Sequence, residues 1–305
     1  MAEHVVRRRG QKRLGREDKT KLLERVARYS DEIEKQEKAV RAAMVSSERA
    51  PTVAAVPSAP EVKQVDIWDM LPTVPVDEAL LERNLVITAS RNDPAHAAFD
   101  VLRARLVQTL TENGWKRVGI TSPTRDCGKT FVAANLAITL SRYENSRTVL
   151  LDLDMRNPSV ANTLGAHNVG SIGDYLRAVT STRDQFRRIG KNTLKIGGSL
   201  AIAMNDRIEP YAAELLQDPV TRERLHQMEL ELSPDIILFD LPPALAQDDV
   251  IAFRQNLDGV LVVTDGRKTS AAEVREVMRR LGTDLPLLGV ILNKAEDASD
   301  SDYGY

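Results

Sequence analysis

The chain has 305 residues, of which 42% are hydrophobic and only 4% aromatic, enough for one sizeable aliphatic core with accessory segments. Its formal net charge of −2 gives no global electrostatic case for a nucleic-acid partner, and its one cysteine excludes an internal disulfide framework. The sequence contains neither a secretory signal nor an apolar run of about 18 residues, which predicts a soluble or peripheral protein without a membrane span.

Residues 1–44 are predicted to form a basic, partly helical arm. Residues 1–28 hold ten Lys and Arg against four acids. Such a run is either a solvated tail or a contact with anionic lipid or an acidic partner. Apolar side chains recur at spacings of four and three from Leu22 to Ala43, which predicts a helix, with a coiled coil as the less favoured alternative.

A proline-rich segment follows the arm. Residues 45–80 contain five prolines separated mainly by Ser, Ala and Val, a composition typical of an extended, disordered linker. The globular domain is therefore predicted to span residues 81–295. It begins with a strand over Asn84–Ala89 and a helix over Ala95–Leu110.

The rest of the domain alternates apolar runs with helical patterns. Strands are predicted near 117–121, 147–152, 200–204, 235–240, 259–264 and 287–292. This alternation predicts an α/β fold with a mostly parallel sheet and helices on both faces.

The segment Ser122–Thr130, which reads SPTRDCGKT, has the composition of a phosphate-binding loop (P-loop) and lies between a predicted strand and a predicted helix. Gly128 lets the backbone approach a ligand, Lys129 offers charge to phosphates, and Thr130 offers a hydroxyl to Mg²⁺. The fold class is thus predicted to be a P-loop NTPase. The residues predicted to contact the nucleotide here are Ser122, Arg125, Asp126, Cys127, Gly128, Lys129 and Thr130.

The loop departs from the usual pattern of glycines. Pro123 occupies the position of the first glycine, and Arg125 and Asp126 stand where glycines would be easier. An acidic side chain beside a triphosphate, such as that of Asp126, is unfavourable unless it points outward.

Two further apolar runs end in carboxylates. Asp152 and Asp154 are spaced i, i+2 and so lie on one side of an extended chain, and Asp240 ends another run. Because ligands of parallel α/β sheets bind at the carboxyl ends of strands, these residues are candidates for holding Mg²⁺. The alternative is that each merely caps a strand or starts a turn.

Taken together, these motifs resemble the bacterial tyrosine kinases of capsule and exopolysaccharide synthesis. The resemblance covers residues 83–295 in order. It is carried by Ile120–Thr130, Leu151–Pro158, Glu214–Leu216, Leu238–Pro243, Asp249 and Gly289–Lys294, with a terminal pair of tyrosines. It implies an ATP- and Mg²⁺-dependent autokinase on a modified P-loop fold. It also implies a homo-oligomer that works with a membrane-embedded polysaccharide co-polymerase, this chain being similar to the separate cytoplasmic form.

The resemblance also implies roles for individual residues. Lys129 would be the phosphate-binding lysine and Thr130 a Mg²⁺ ligand. Asp152 and Asp154 would belong to the motif that supplies the metal contact and the base for the tyrosine proton. Asp240 would orient the magnesium ion.

Further roles concern the end of the chain. Asn293 is similar to the residue near the adenine. Tyr303 and Tyr305, in the acidic tail 296–305, would be the phosphoacceptors on a neighbouring copy. The family's oligomerisation motif, Glu-x-x-Arg-x-x-Arg, matches this chain only at its last position among Ala97, Asp100 and Arg103. A ring closed by that motif is therefore not predicted.

Two other functions stay open at this point. A partition or septum-placement ATPase would share the fold, but such proteins typically carry a lysine where this chain has Thr124. A non-catalytic, nucleotide-binding regulator of polysaccharide export is the other. Arg156 is compatible with clamping phosphates, with contacting a second subunit or with a plain salt bridge.

Overall fold

A computed structural model describes residues 66–86, 95–143, 145–190 and 192–295. The basic arm, the linker up to residue 65 and the tail with Tyr303 and Tyr305 lie outside these ranges. The strands of the described part are β1 (Thr73–Val74), β2 (Arg117–Thr121), β3 (Thr148–Asp152), β4 (Phe186–Ile189), β5 (Leu200–Ala203), β6 (Ile236–Asp240), β7 (Gly259–Asp265) and β8 (Leu287–Asn293).

These strands form one sheet in the order β1-β4-β5-β3-β6-β2-β7-β8. Neighbouring strands are parallel except for β4 and β5. Every residue of β3, β6 and β7 is buried, as expected where helices cover both faces of a parallel sheet. The predicted fold class is confirmed.

Helices connect the strands and cover the sheet. They span Ile67–Met70, Glu78–Arg83, Ala95–Asn113, Lys129–Leu140, Val160–Leu164, Ile172–Leu176, Thr182–Gln185, Ala212–Gln217, Pro219–Leu232, Asp249–Phe253 and Ala271–Leu281, with a 3₁₀ turn over Arg254–Asn256. Within the four described ranges, no helix is both long and apolar enough to cross a membrane.

The core consists of two apolar clusters, one on each face of the sheet. Val149 and Leu151 belong to one cluster, whereas Leu150 between them belongs to the other. Successive side chains of a strand point to opposite faces, so β3 supplies both clusters. The sheet is therefore held rigidly from both sides, and its strand ends have fixed positions.

The predicted start of the domain at residue 81 was too late. Trp68 and Leu71, inside the predicted linker, are buried in the core, and β1 pairs in parallel with β4. The prolines that suggested a linker, Pro72 and Pro75, flank this two-residue edge strand, where a missing N–H costs no ladder hydrogen bond. The folded part therefore includes residue 66 onward.

Two local predictions also need revision. The described part of the predicted strand Asn84–Ala89 is a turn after the helix Glu78–Arg83, with Leu85 in the left-handed region at φ 58°. Residues 87–89 lie outside the described ranges. β4 was not predicted, because its two central arginines interrupt the apolar run that is typical of the other strands.

Candidate nucleotide-binding site

The P-loop joins β2 to the helix Lys129–Leu140, as predicted. Gly128 is at the N-cap position of this helix with φ 91°, and, having no side chain, it makes no side-chain cap bond to the first amides. Those amides, at the positive end of the helix dipole, remain available to phosphate oxygens. A Cβ at Gly128 would lie 2.2 Å from Nδ2 of Asn293. Both the backbone conformation and the close contact therefore require glycine.

Lys129 lies among carboxylates at the carboxyl ends of β3 and β6. Its Nζ is 2.7 Å from Oδ2 of Asp154 and 3.6 Å from Oδ1 of Asp240. Burial opposes the charged form, but Asp240 and Asp154 outweigh it and raise the pKa of Lys129 above its ordinary value. Lys129 therefore stays positively charged at the start of the helix.

Asp152 and Asp240 face each other in register on β3 and β6, and neither is exposed to solvent. Burial, and next the charge of Asp240, raise the pKa of Asp152 well above its ordinary value. Burial also raises the pKa of Asp240, while Lys129 and the Thr130 hydroxyl act in the opposite direction. Two buried like charges beside one lysine form a site that an added cation would stabilise.

Two carboxylate oxygens of Asp152 and Asp240 that accept no hydrogen bond test whether a metal ion fits. Oδ1 of Asp152 and Oδ1 of Asp240 are buried and accept no hydrogen bond. Oδ2 of Asp240 accepts from the Thr130 hydroxyl at 2.6 Å. The described residues contain no group of three or more His, Cys, Asp or Glu arranged to hold a metal alone. Mg²⁺ commonly binds one or two carboxylates together with substrate phosphates and water, so this donor set fits it.

The other predicted loop residues divide into two groups. Arg125 and Asp126 are exposed and line a cleft of about 400 Å³ together with Lys129 and Thr130. The carboxylate of Asp126 is therefore open to solvent at this cleft. The side chains of Ser122 and Cys127 are buried: the Ser122 hydroxyl donates to the Thr124 carbonyl at 2.7 Å. They shape the loop, and only their backbone groups can face a nucleotide.

Asn293 lies at the P-loop rather than on the walls of the cleft. Its Nδ2 donates to the carbonyl of Cys127 at 2.9 Å. The structure thus brings Asn293 to the predicted site and shows it in contact with the protein backbone. A contact with the adenine remains a prediction.

Sequence reasoning missed Ser159 and assigned no role to Asp249. The Ser159 hydroxyl donates to Oγ1 of Thr130 at 2.9 Å, and its amide donates to Oδ2 of Asp152 at 3.0 Å. A serine immediately before the helix Val160–Leu164 was the signal that could have identified it. Only the fold brings it to Thr130.

Arg156 lines the cleft and forms a two-bond ion pair with the buried Asp249. Its Nε and Nη2 donate to the two carboxylate oxygens at 2.8 and 3.1 Å. This hydrogen bonding raises the pKa of Arg156. The salt-bridge interpretation of Arg156 is therefore correct, and its position on the cleft wall is compatible with the phosphate-clamp interpretation.

A strand–loop–helix with a lysine and threonine at the helix start, facing carboxylates at strand ends, defines a P-loop NTPase. The chain belongs to the ParA family: the family profile, described as NUBPL iron-transfer P-loop NTPase, matches residues 116–301.

Individual relatives are named as kinases. The chain is 27% identical over 243 residues to the putative tyrosine-protein kinase EpsB of Ralstonia nicotianae, covering 79% of this chain and 30% of EpsB. It is 26% identical over 228 residues to the tyrosine-protein kinase YwqD of Bacillus subtilis, covering 74% of this chain and 92% of YwqD. The chain therefore spans less than a third of EpsB but nearly all of YwqD.

Solved structures agree with these relatives. The kinase domain of VpsO superposes with a TM-score of 0.58 at 26% identity, over 70% of this chain and 98% of that domain. The kinase domain of the Escherichia coli tyrosine kinase ETK has a TM-score of 0.62 at 24% identity, over 77% and 93%, and supports the fold. The resemblance predicted from the motifs is confirmed.

Proposed function

We propose that the chain is an ATP- and Mg²⁺-dependent protein-tyrosine autokinase in capsular or exopolysaccharide synthesis and export. The observation that carries the proposal is the cluster of Lys129 with Asp152, Asp154 and Asp240 below an uncapped helix N-terminus. Relatives named tyrosine-protein kinase favour this function over a partition ATPase or a non-catalytic regulator.

The ion pair between Lys129 and Asp154 suggests how the site works. Phosphate oxygens at the helix N-terminus would attract the Lys129 ammonium away from Asp154. Asp154, at the edge of the cleft, is then left to accept the proton of an incoming tyrosine. Phosphoryl transfer requires mainly positioning and charge stabilisation, which these two residues supply.

Thr130, Asp152 and Asp240 would hold the Mg²⁺ ion. When bound, the ion neutralises charge on the β- and γ-phosphates. Ser159 donates hydrogen bonds to both Thr130 and Asp152 and so fixes the two ligands relative to each other. Arg125, Asp126 and Asn293 complete the proposed nucleotide contacts.

The proposed acceptors are Tyr303 and Tyr305 in the tail 296–305 of a neighbouring copy. Residues 66–295 would form the kinase domain, with the arm 1–44 as a possible point of contact with anionic lipid. A membrane-embedded polysaccharide co-polymerase is the proposed partner, which would place the kinase at the inner face of the plasma membrane.

Peptide mass spectrometry after incubation with Mg²⁺-ATP tests the proposal, with and without the cytoplasmic segment of a candidate co-polymerase. Phosphate is expected on Tyr303 or Tyr305. Lys129→Met should abolish it, because the charge that binds the phosphates is removed. Lys116→Met is the control, since Lys116 is exposed at the opposite end of β2. Nucleotide binding without any phosphotyrosine under either condition would instead favour the regulator.

A further inference from the structure

Two consecutive residues at the end of β8 contact consecutive carbonyls of the P-loop. Nδ2 of Asn293 donates to the carbonyl of Cys127, and Nζ of Lys294 donates to the carbonyl of Asp126. Lys294 itself has a left-handed backbone at φ 54°, at the point where the chain leaves the strand. The loop is therefore held from outside by an element that is distant in sequence.

Asp126 is the residue of the loop that needs such support. It has φ 63°, in the left-handed region that glycine enters freely and that other residues adopt at a cost. Its side chain is exposed, so burial of the carboxylate does not stabilise this conformation. The contact from Lys294 acts directly on its peptide carbonyl.

Lys294 is in turn held by the end of β7. Its Nζ lies 3.5 Å from Oδ2 of Asp265, which is buried. The backbone N–H of Arg267, at 3.0 Å, lowers the pKa of Asp265, which therefore stays ionised and attracts the lysine. The amide of Gly266 donates to the Asn293 carbonyl at 2.7 Å, which links the two strand ends.

We infer that Lys294 is a positioning residue for nucleotide binding: its ammonium keeps Asp126 in the left-handed conformation that gives the P-loop its phosphate-binding shape. A glycine at position 126 would reach this conformation without help. The inference deepens the proposed function and rests on its nucleotide site.

The dissociation constant for Mg²⁺-ADP, measured by calorimetry on the full chain, is the first readout. Lys294→Met is expected to weaken binding by about fivefold or more, since it removes a charge-assisted hydrogen bond. Lys294→Arg should retain most of the affinity, because a cation remains. Lys268→Met is the matched control: Lys268 is an exposed lysine in the loop after β7. Thermal unfolding of each variant establishes that it is folded.

A second substitution tests the backbone explanation. Asp126→Gly and Asp126→Ala both remove the carboxylate, but only glycine relieves the left-handed conformation. In the Lys294→Met background, Asp126→Gly should restore the affinity to within about twofold of the parent, and Asp126→Ala should not. If Lys294 had only a general structural role, Asp126→Gly and Asp126→Ala would have the same effect on the affinity.

Each contrary result has a distinct meaning. Unchanged affinity in Lys294→Met, or equal restoration by Gly and Ala, would overturn the inference. A parent chain that does not bind Mg²⁺-ADP would contradict the proposed function instead.

Discussion

Asp152 and Asp240 are carboxyl groups buried side by side, and ionising both of them costs free energy. The pKa of Asp152 is raised by burial and by Asp240, so the folded state binds its proton more tightly than the unfolded state. Its contribution to stability is therefore complete below the unfolded carboxyl pKa and is lost as the pH rises through the raised folded value. At neutral pH and without a bound cation, this pair therefore lowers the stability of the folded state.

Replacing one carboxylate should relieve this repulsion. We expect Asp240→Asn, without nucleotide or metal, to raise Tm by about 2–4 °C at pH 8, because Asp152 ionises more easily beside an amide. The gain should shrink as the pH falls towards the ordinary carboxyl pKa, because protonating Asp152 in the folded state then costs progressively less free energy. Thermal unfolding between pH 5 and 8 measures it.

The control for this prediction is Asp284→Asn, which neutralises an exposed carboxylate. Stabilisation by Mg²⁺-ADP should also be smaller in Asp240→Asn than in the parent. If Asp240→Asn is less stable than the parent at pH 8, the prediction is contradicted. The contacts of Asp240 with Thr130 and Lys129 would then stabilise the fold by more than its repulsion of Asp152 destabilises it.

At the scale of secondary structure, the segment before residue 81 is the least expected part of the domain. Trp68 packs in the core, and the guanidinium carbon of Arg147 lies 4.9 Å from the centre of its ring. Asp66 caps the short helix by accepting from the amide of Trp68. A four-residue helix has little stability of its own, so tertiary packing must hold it in place.

Trp68→Ala is expected to reduce the free energy of unfolding by about 3–5 kcal/mol, the usual cost of truncating a buried aromatic side chain. Met70→Ala in the same helix is the control. Met70 is 39% exposed, against 4% for Trp68, and should cost about 0.5 kcal/mol or less. Urea denaturation measures both. Equal, small effects would indicate that this segment adds little to the domain.

Sequence patterns predicted the central strands and the edge strand β8, but not β1 and β4 on the other side of the sheet. β3, β6 and β7 are continuous apolar runs, because strands covered on both faces need apolar side chains at every position. β1 has two residues, and β4 contains two arginines. Both strands are defined by their pairing in the sheet rather than by an apolar run of their own, so period and composition did not indicate them.

At the scale of the whole molecule, the proposed reaction couples catalysis to assembly. The tail that carries Tyr303 and Tyr305 follows directly after β8, the strand whose end contacts the P-loop. Phosphorylation adds a charge of about −1.5 to −2 per tyrosine to a tail that is already acidic. We expect this charge to weaken docking of the tail on a neighbouring copy.

A chain with Tyr303→Phe and Tyr305→Phe should therefore form assemblies that persist in Mg²⁺-ATP, whereas those of the parent dissociate. Light scattering after size-exclusion chromatography measures the mass in both cases. Tyr211→Phe is the control, because Tyr211 is an exposed tyrosine in the domain itself. If the double variant assembles and dissociates with ATP as the parent does, the cycle is contradicted.

By itself the sequence determined the fold class, the phosphate loop and the carboxylates at the strand ends, because each depends on local chemistry: apolar runs, a Gly-Lys-Thr helix start, and acids after strands. Only the tertiary structure decided that Ser159 meets Thr130, that Asp249 holds Arg156, and that Lys294 reaches the carbonyl of Asp126. These contacts join residues 29 to 168 positions apart. The order of the strands and the geometry of the loops bring such residues together, and the local sequence pattern predicts neither of them.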